Sequence, residues 1–138
     1  MSLTVARFDH IVVNCSNVAV TAAWYERVLG MRIERFGASG RVALRFGDQK
    51  INLRPATLAG DDPDWVSADA VAAGSEDLCF VAAEASADEV GAHLRECGVE
   101  ITEGPVTRTG ALGPITSHYC TDPDGNLIEV AVYQNPSS

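Results

Sequence analysis

The chain has 138 residues, 10 Lys+Arg against 19 Asp+Glu and a net charge of −9, so it has room for one ordinary domain and offers no positive field to nucleic acid or anionic membranes. A hydrophobic content of 46% supports a real core and argues against wholesale disorder. The acidic balance does not exclude a small anionic ligand, because a few buried basic residues outweigh a distant surface charge.

No run reaches the roughly 18 uninterrupted apolar residues of a membrane span, and MSLTVARFDHIVVN lacks the order of a secretory signal. A cytoplasmic protein is expected. Cys15, Cys79, Cys97 and Cys120 form no CxxC or zinc-finger spacing and read as reduced, structural thiols.

In chain order, residues 8–15 (FDHIVVNC) alternate as a strand. Ser16 and Asn17 give start signals for a helix over 18–30 that Gly30 closes. MRIERFG predicts a second strand, and RVALRFG with DQKINLR predicts a hairpin turning at Gly47 and Asp48. Residues 55–75 are rich in Pro, Gly and acid and read as a connector or lid, with Trp65 as a packing anchor. A second cycle follows, with EDLCFVA as strand, SADEVGAHLRECG as helix and VEITEG as strand. Ser86 and Glu89 have capping-box spacing before that helix. TRTGALGP is expected as a glycine-rich loop serving as anion-binding loop, lid or plain connector. ITSHYCT and NLIEVAVY then form the last hairpin across DPDG, where Pro123 and Gly125 suit the turn.

The repeated order predicts an α+β fold in which two βαβββ modules form a curved mixed sheet with helices on its outer face. Residues 1–138 then make one domain, with modules at 8–54 and 76–133 around the connector at 55–75. Alternation puts Ile11, Val13, Ile51 and Leu53 under a helix and turns His10, Val12, Asn14, Lys50, Asn52 and Arg54 the other way. In the second module Asp77, Cys79, Glu129 and Tyr133 share the corresponding face, joined by Ser117 and Tyr119, while His118 points away as a packed or surface histidine. An organised pocket and a merely solvated sheet face both fit this pattern. Carboxylates inside apolar strands need a partner, metal or water, which favours the pocket.

The module order, with DHIVVN, FGDQKINLR and YCTDPDGNLIEV at their places, resembles the vicinal oxygen chelate superfamily. That group includes glyoxalase I, fosfomycin-resistance proteins, bleomycin-binding proteins and extradiol dioxygenases. GPITSHYCTDPDGNLIEV is most similar to small glyoxalase-domain-containing proteins. In metal-dependent relatives, matching strand positions of paired modules hold one divalent ion. Carried over, the metal ligands fall on His10, Asp77 and Glu129, while Asn52 stands where glyoxalase I-like sequences place a carboxylate and Asp77 where a His is usual.

The resemblance thus implies a metalloenzyme acting on a small oxygenated organic molecule, with isomerase, lyase or dioxygenase chemistry left open. One ion among Fe(II), Mn, Ni, Zn and Mg would suit the oxygen-rich set. Tyr119 would orient or protonate an intermediate, with Glu129 the second catalytic group. Asn52 and Arg54 would bind substrate, Arg54 meeting a carboxylate or enediol-like anion. The alternative is a non-catalytic small-molecule or drug-binding resistance protein that uses the same face without metal, His10 donating to Asp77 or Glu129. The resemblance also implies a homodimer, since paired modules can exchange between subunits and complete each cavity.

Overall fold

A computed structural model of the protein describes residues 2–57 and 66–134. Two compact units make it up, residues 1–73 and 74–138. Trp65, the expected anchor of the connector, lies outside the described residues.

The first unit runs β1 (His10–Cys15), α1 (Val18–Leu29), β2 (Arg32–Phe36), β3 (Arg41–Phe46) and β4 (Gln49–Pro55). Its four-stranded sheet has the order β1-β4-β3-β2, with β1 parallel to β4 and the other pairs antiparallel. Asn17 starts α1 by accepting the Val20 N–H at 3.0 Å, and Gly30 ends it at φ 67°, a left-handed conformation that costs glycine little. Thr21, Ala22, Tyr25 and Val28 form the buried stripe of α1. That stripe meets β2, β3 and β4, whose Leu44, Ile51 and Leu53 are fully buried. Each such aliphatic side chain stabilises the fold by roughly 1.5–3 kcal/mol, so this face is fixed to the helix and the opposite one is left for function.

The second unit runs β5 (Asp77–Val81), α2 (Ala87–Glu96), β6 (Glu103–Gly110), β7 (Gly113–Thr121) and β8 (Leu127–Tyr133), ordered β5-β8-β7-β6 in its sheet. The parallel β5–β8 pair repeats the β1–β4 arrangement of the first unit. Ser86 accepts the Glu89 N–H and Glu89 accepts the Ser86 N–H, both at 3.1 Å, which completes the expected capping box. Val90 and Leu94 of α2 are buried over β7 and β8.

Two expectations are corrected. The hydrogen-bonded ladders form two four-stranded mixed sheets, one per unit, instead of one sheet. TRTGALGP is not a loop: Thr107–Gly110 ends β6, only Ala111 and Leu112 turn, and Gly113 and Pro114 open β7. The paired threonines carry β-branched side chains that suit an extended strand, and the glycines mark its tight turn. The expected strand at VEITEG accordingly starts only at Glu103.

The DPDGN stretch is rigid by construction. Asp122 Oδ1 accepts the N–H groups of Asp124 and Asn126 at 3.0 Å, and Asp122 Oδ2 accepts Asn126 Nδ2 at 2.7 Å. Asn126 is fully buried, and its Oδ1 accepts the Glu76 N–H at 2.8 Å. One turn therefore pins the start of β8 to the lead-in of β5 and sets Glu129 beside Cys79 in register. No helix among the described residues is long and apolar enough to cross a membrane.

Candidate functional site

In the first unit the predicted polar residues share the sheet face that α1 leaves uncovered. The register places His10 beside Lys50, Val12 beside Asn52 and Asn14 beside Arg54. Arg54 is only 3% exposed, and its Nη1 donates to the Pro55 carbonyl at 3.4 Å. Asn14 and Asn52 are half-buried, yet the side-chain oxygen of each is fully buried and has no hydrogen-bond partner among the described residues. A buried amide oxygen without a donor costs about 1–3 kcal/mol, so these two oxygens are not accounted for by the hydrogen bonding of the described residues. His10 is exposed and donates from Nδ1 to Asp9 at 2.7 Å. The contact holds the Asp9 carboxyl below its usual range, chiefly through that hydrogen bond. Lys50 reaches across the sheet to lie 4.0 Å from the Phe36 ring centre, and Arg45 holds Glu34 at 2.6 Å.

In the second unit Glu129 stands between Cys79 on β5 and Tyr119 on β7 in register. Ser117 is fully buried and donates to Glu129 Oε2 at 2.6 Å, so one carboxylate oxygen is held by the protein. Burial first, and then the Glu129 charge, push the Cys79 thiol up to about 11. At neutral pH Cys79 is a thiol and a poor nucleophile. Burial and Glu129 also raise the Tyr119 phenol, opposed by Arg108, whose guanidinium lies 5.6 Å from the Tyr119 ring centre. Tyr119 is therefore a neutral hydroxyl able to donate or accept. Arg108 in turn donates to Glu103 at 2.8 Å. Asp77 is exposed at the first position of β5.

Of the expected metal ligands, His10 belongs to the first unit, and Asp77 and Glu129 belong to the second, as the resemblance to paired modules implied. Among the described residues no three His, Cys, Asp or Glu side chains gather into a group that would hold a metal ion. The nearest partners of Glu129 are a serine hydroxyl, a thiol and a phenol, which do not make a divalent-ion cage with it. His10 bonds to Asp9, its neighbour in sequence.

Asn14, Ser117 and Arg108 add to the predicted site residues. Asn14 and Ser117 lie on the faces that alternation assigns them, but the Ser117–Glu129 bond joins positions two residues apart in register and needs the ladder to be known. Arg108 was hidden inside the segment read as a loop. His118 is 3% exposed on the other side of β7, where Gly91 of α2 comes so close that a Cβ there would lie 2.9 Å from His118 Nε2.

The model of the Glyoxalase/Bleomycin resistance protein/Dioxygenase superfamily matches residues 7–130. The chain belongs to this superfamily. It is 46% identical over 133 residues, 96% of its length and 72% of the other protein, to the glyoxalase domain-containing protein RDO1 of Mycosarcoma maydis. It matches the structure of an integron cassette protein from V. cholerae at a TM-score of 0.90 and 44% identity, covering 97% of this chain and all of that one. At 19% identity the superfamily fold is shared with a lactoylglutathione lyase from Agrobacterium tumefaciens, over 94% of this chain and 95% of that one at a TM-score of 0.73. It is shared at the same identity with TnmS3, an antibiotic binding protein from Streptomyces sp. CB03234, over 96% of this chain and all of that one at 0.70. The superfamily fold alone thus does not separate catalysis from binding.

Proposed function

We propose that the chain is a small-molecule-binding protein of the superfamily's non-catalytic type, acting as a cytoplasmic homodimer. One observation carries this reading. The first unit has the buried, unpartnered amide oxygen of Asn52 on the sheet face at the position where a glyoxalase I-like metalloenzyme has a carboxylate, with that of Asn14 nearby. An amide cannot take up a proton at neutral pH and is a weak metal ligand, but it orients a bound hydroxyl or amine well. Asn52 and Arg54 are then ligand contacts, and in the second unit Glu129 and Tyr119 supply an acceptor and a neutral hydroxyl. The likeness to TnmS3 in fold agrees with this reading without carrying it.

A second reading keeps the metal. His10 is held through Nδ1 by Asp9, the arrangement that orients a histidine whose other nitrogen binds an ion. On that reading His10, Asp77 and Glu129 are ligands, Tyr119 and Glu129 act on the substrate, and the ion polarises adjacent substrate oxygens.

Metal analysis of protein purified without chelator, then titrated with Mn, Ni and Fe(II), separates the two. The binding reading expects well under one ion per chain and no saturable uptake. Stoichiometric metal that is lost in both His10→Ala and Glu129→Ala would replace it with the metalloenzyme.

A further inference from the structure

The last turn of α2 sets a histidine against a cysteine. His93 and Cys97 are four residues apart, the spacing that puts two side chains on one helix face, and His93 Nε2 lies 3.5 Å from Cys97 Sγ. His93 is exposed and Cys97 half-buried, so both are open to solvent. Their backbones are fixed. The Cys97 N–H donates to the His93 carbonyl at 2.9 Å, and the Gly98 and Val99 N–H groups close the helix on the Arg95 and Leu94 carbonyls at 3.0 Å. Gly98 takes the left-handed φ of 76° that this closure needs, and Leu94 is buried in the core. The other thiols are placed differently: Cys15 and Cys120 are buried, and Cys79 stands in register with Glu129.

We propose that His93 and Cys97 form a binding site for one thiophilic metal ion, of which zinc(II) is the type, at the C-terminal end of α2. The site is independent of the sheet face where Glu129 stands, because α2 packs on the other side of β7 and β8. An ion about 2.05 Å from an imidazole nitrogen and about 2.3 Å from a thiolate holds those two atoms about 3.6 Å apart at a tetrahedral angle, close to the 3.5 Å observed. The pair is therefore at chelating distance before the ion arrives. On binding, the Cys97 S–H bond breaks, the sulfur and the His93 Nε2 lone pair enter the ion's shell, and one proton leaves to solvent. The thiolate selects soft or borderline ions over Mg and Mn. The helix end favours this outcome over a bare thiolate, since its unpaired carbonyls carry partial negative charge that repels an anion and attracts a cation. Between residues 87 and 100, Asp88, Glu89, Glu96 and Glu100 face a single Arg95, which adds to the attraction. Among the described residues no third His, Cys, Asp or Glu joins the pair, so water fills the remaining positions and the ion is exchangeable.

The test is a titration of the full-length chain, reduced and stripped of metal, with Zn(II) followed by calorimetry and backbone amide NMR. A parallel titration with Cd(II) reads the thiolate-to-metal charge-transfer absorption. The expected result is one Zn(II) per chain, saturable shifts centred on the amides of residues 93–99, and uptake that tightens between about pH 6 and 8 as both ligands lose their protons. His93→Gln and Cys97→Ser, both outside the core, should each weaken Zn(II) binding at least about tenfold, because a chelate becomes a single contact. Cys97→Ser should also lose the Cd(II) band. Cys79→Ser, His10→Ala and Glu129→Ala should bind as wild type does. Absence of saturable Zn(II) uptake overturns the proposal, as does full-affinity uptake by either α2 variant. Uptake lost in His10→Ala and Glu129→Ala but kept in both α2 variants would also overturn it and assign the ion to the sheet face.

Discussion

His118 shows how a single residue's chemistry depends on which side of a strand it occupies. It lies on β7 between Ser117 and Tyr119, both on the site face, and is itself buried against α2 with Nδ1 lacking a hydrogen-bond partner among the described residues. Burial first, and then Arg95, lower its pKa from 6.5, with Asp88 opposing. The folded state thus holds the neutral ring, while the unfolded chain takes up a proton near 6.5. Stability from this residue is complete above that pH and is lost as pH falls through the lower folded value. Urea midpoints measured between pH 8 and 5 should drop below about 6.5, and His118→Gln should flatten that part of the curve. An unchanged slope in the variant would place the acid sensitivity elsewhere. The orientation of His118 was legible from alternation, because period two is a purely local property. The partners of Lys50 and Glu129 were not, since they depend on register: Phe36 lies two strands from Lys50, and Ser117 lies on the strand beside Glu129.

At the scale of elements, the regular signals were the readable ones. Asn17 and Gly30 bracket α1, Ser86 and Glu89 open α2, and DPDG turns into β8, each through hydrogen bonds that short-range residue types specify. The misread element was the second half of β6 with the start of β7, where Gly110 and Gly113 suggest a loop when the pairing partner is unknown. The ladder with β7 settles the matter, since Val106, Thr107, Arg108 and Thr109 all find opposite residues there. Ser86 offers a direct check on element stability. Ser86→Ala removes the side-chain acceptor for the Glu89 N–H and keeps the backbone N–H from which Glu89 accepts, so chemical denaturation should register a loss of about 1 kcal/mol. Because α2 covers the face of β7 and β8 opposite to Glu129, ligand affinity of the folded variant should stay within about twofold of wild type, whereas a loss in affinity matching the loss in stability would tie the site to the helix.

For the whole molecule, the charge of −9 is not spread evenly. Residues 1–73 contain eight Lys and Arg and eight Asp and Glu, while residues 74–138 contain two and eleven. The first unit is neutral overall, and the whole surplus of acid belongs to the second. Added salt screens repulsion among the eleven acids of the second unit and should raise thermal stability. Thermal melts from about 10 to 200 mM NaCl, across which the Debye length shrinks from about 30 Å to under 10 Å, test this, and the midpoint is expected to rise. A midpoint that falls with salt would mean that ion pairs such as Arg45–Glu34 and Arg108–Glu103 outweigh the repulsion.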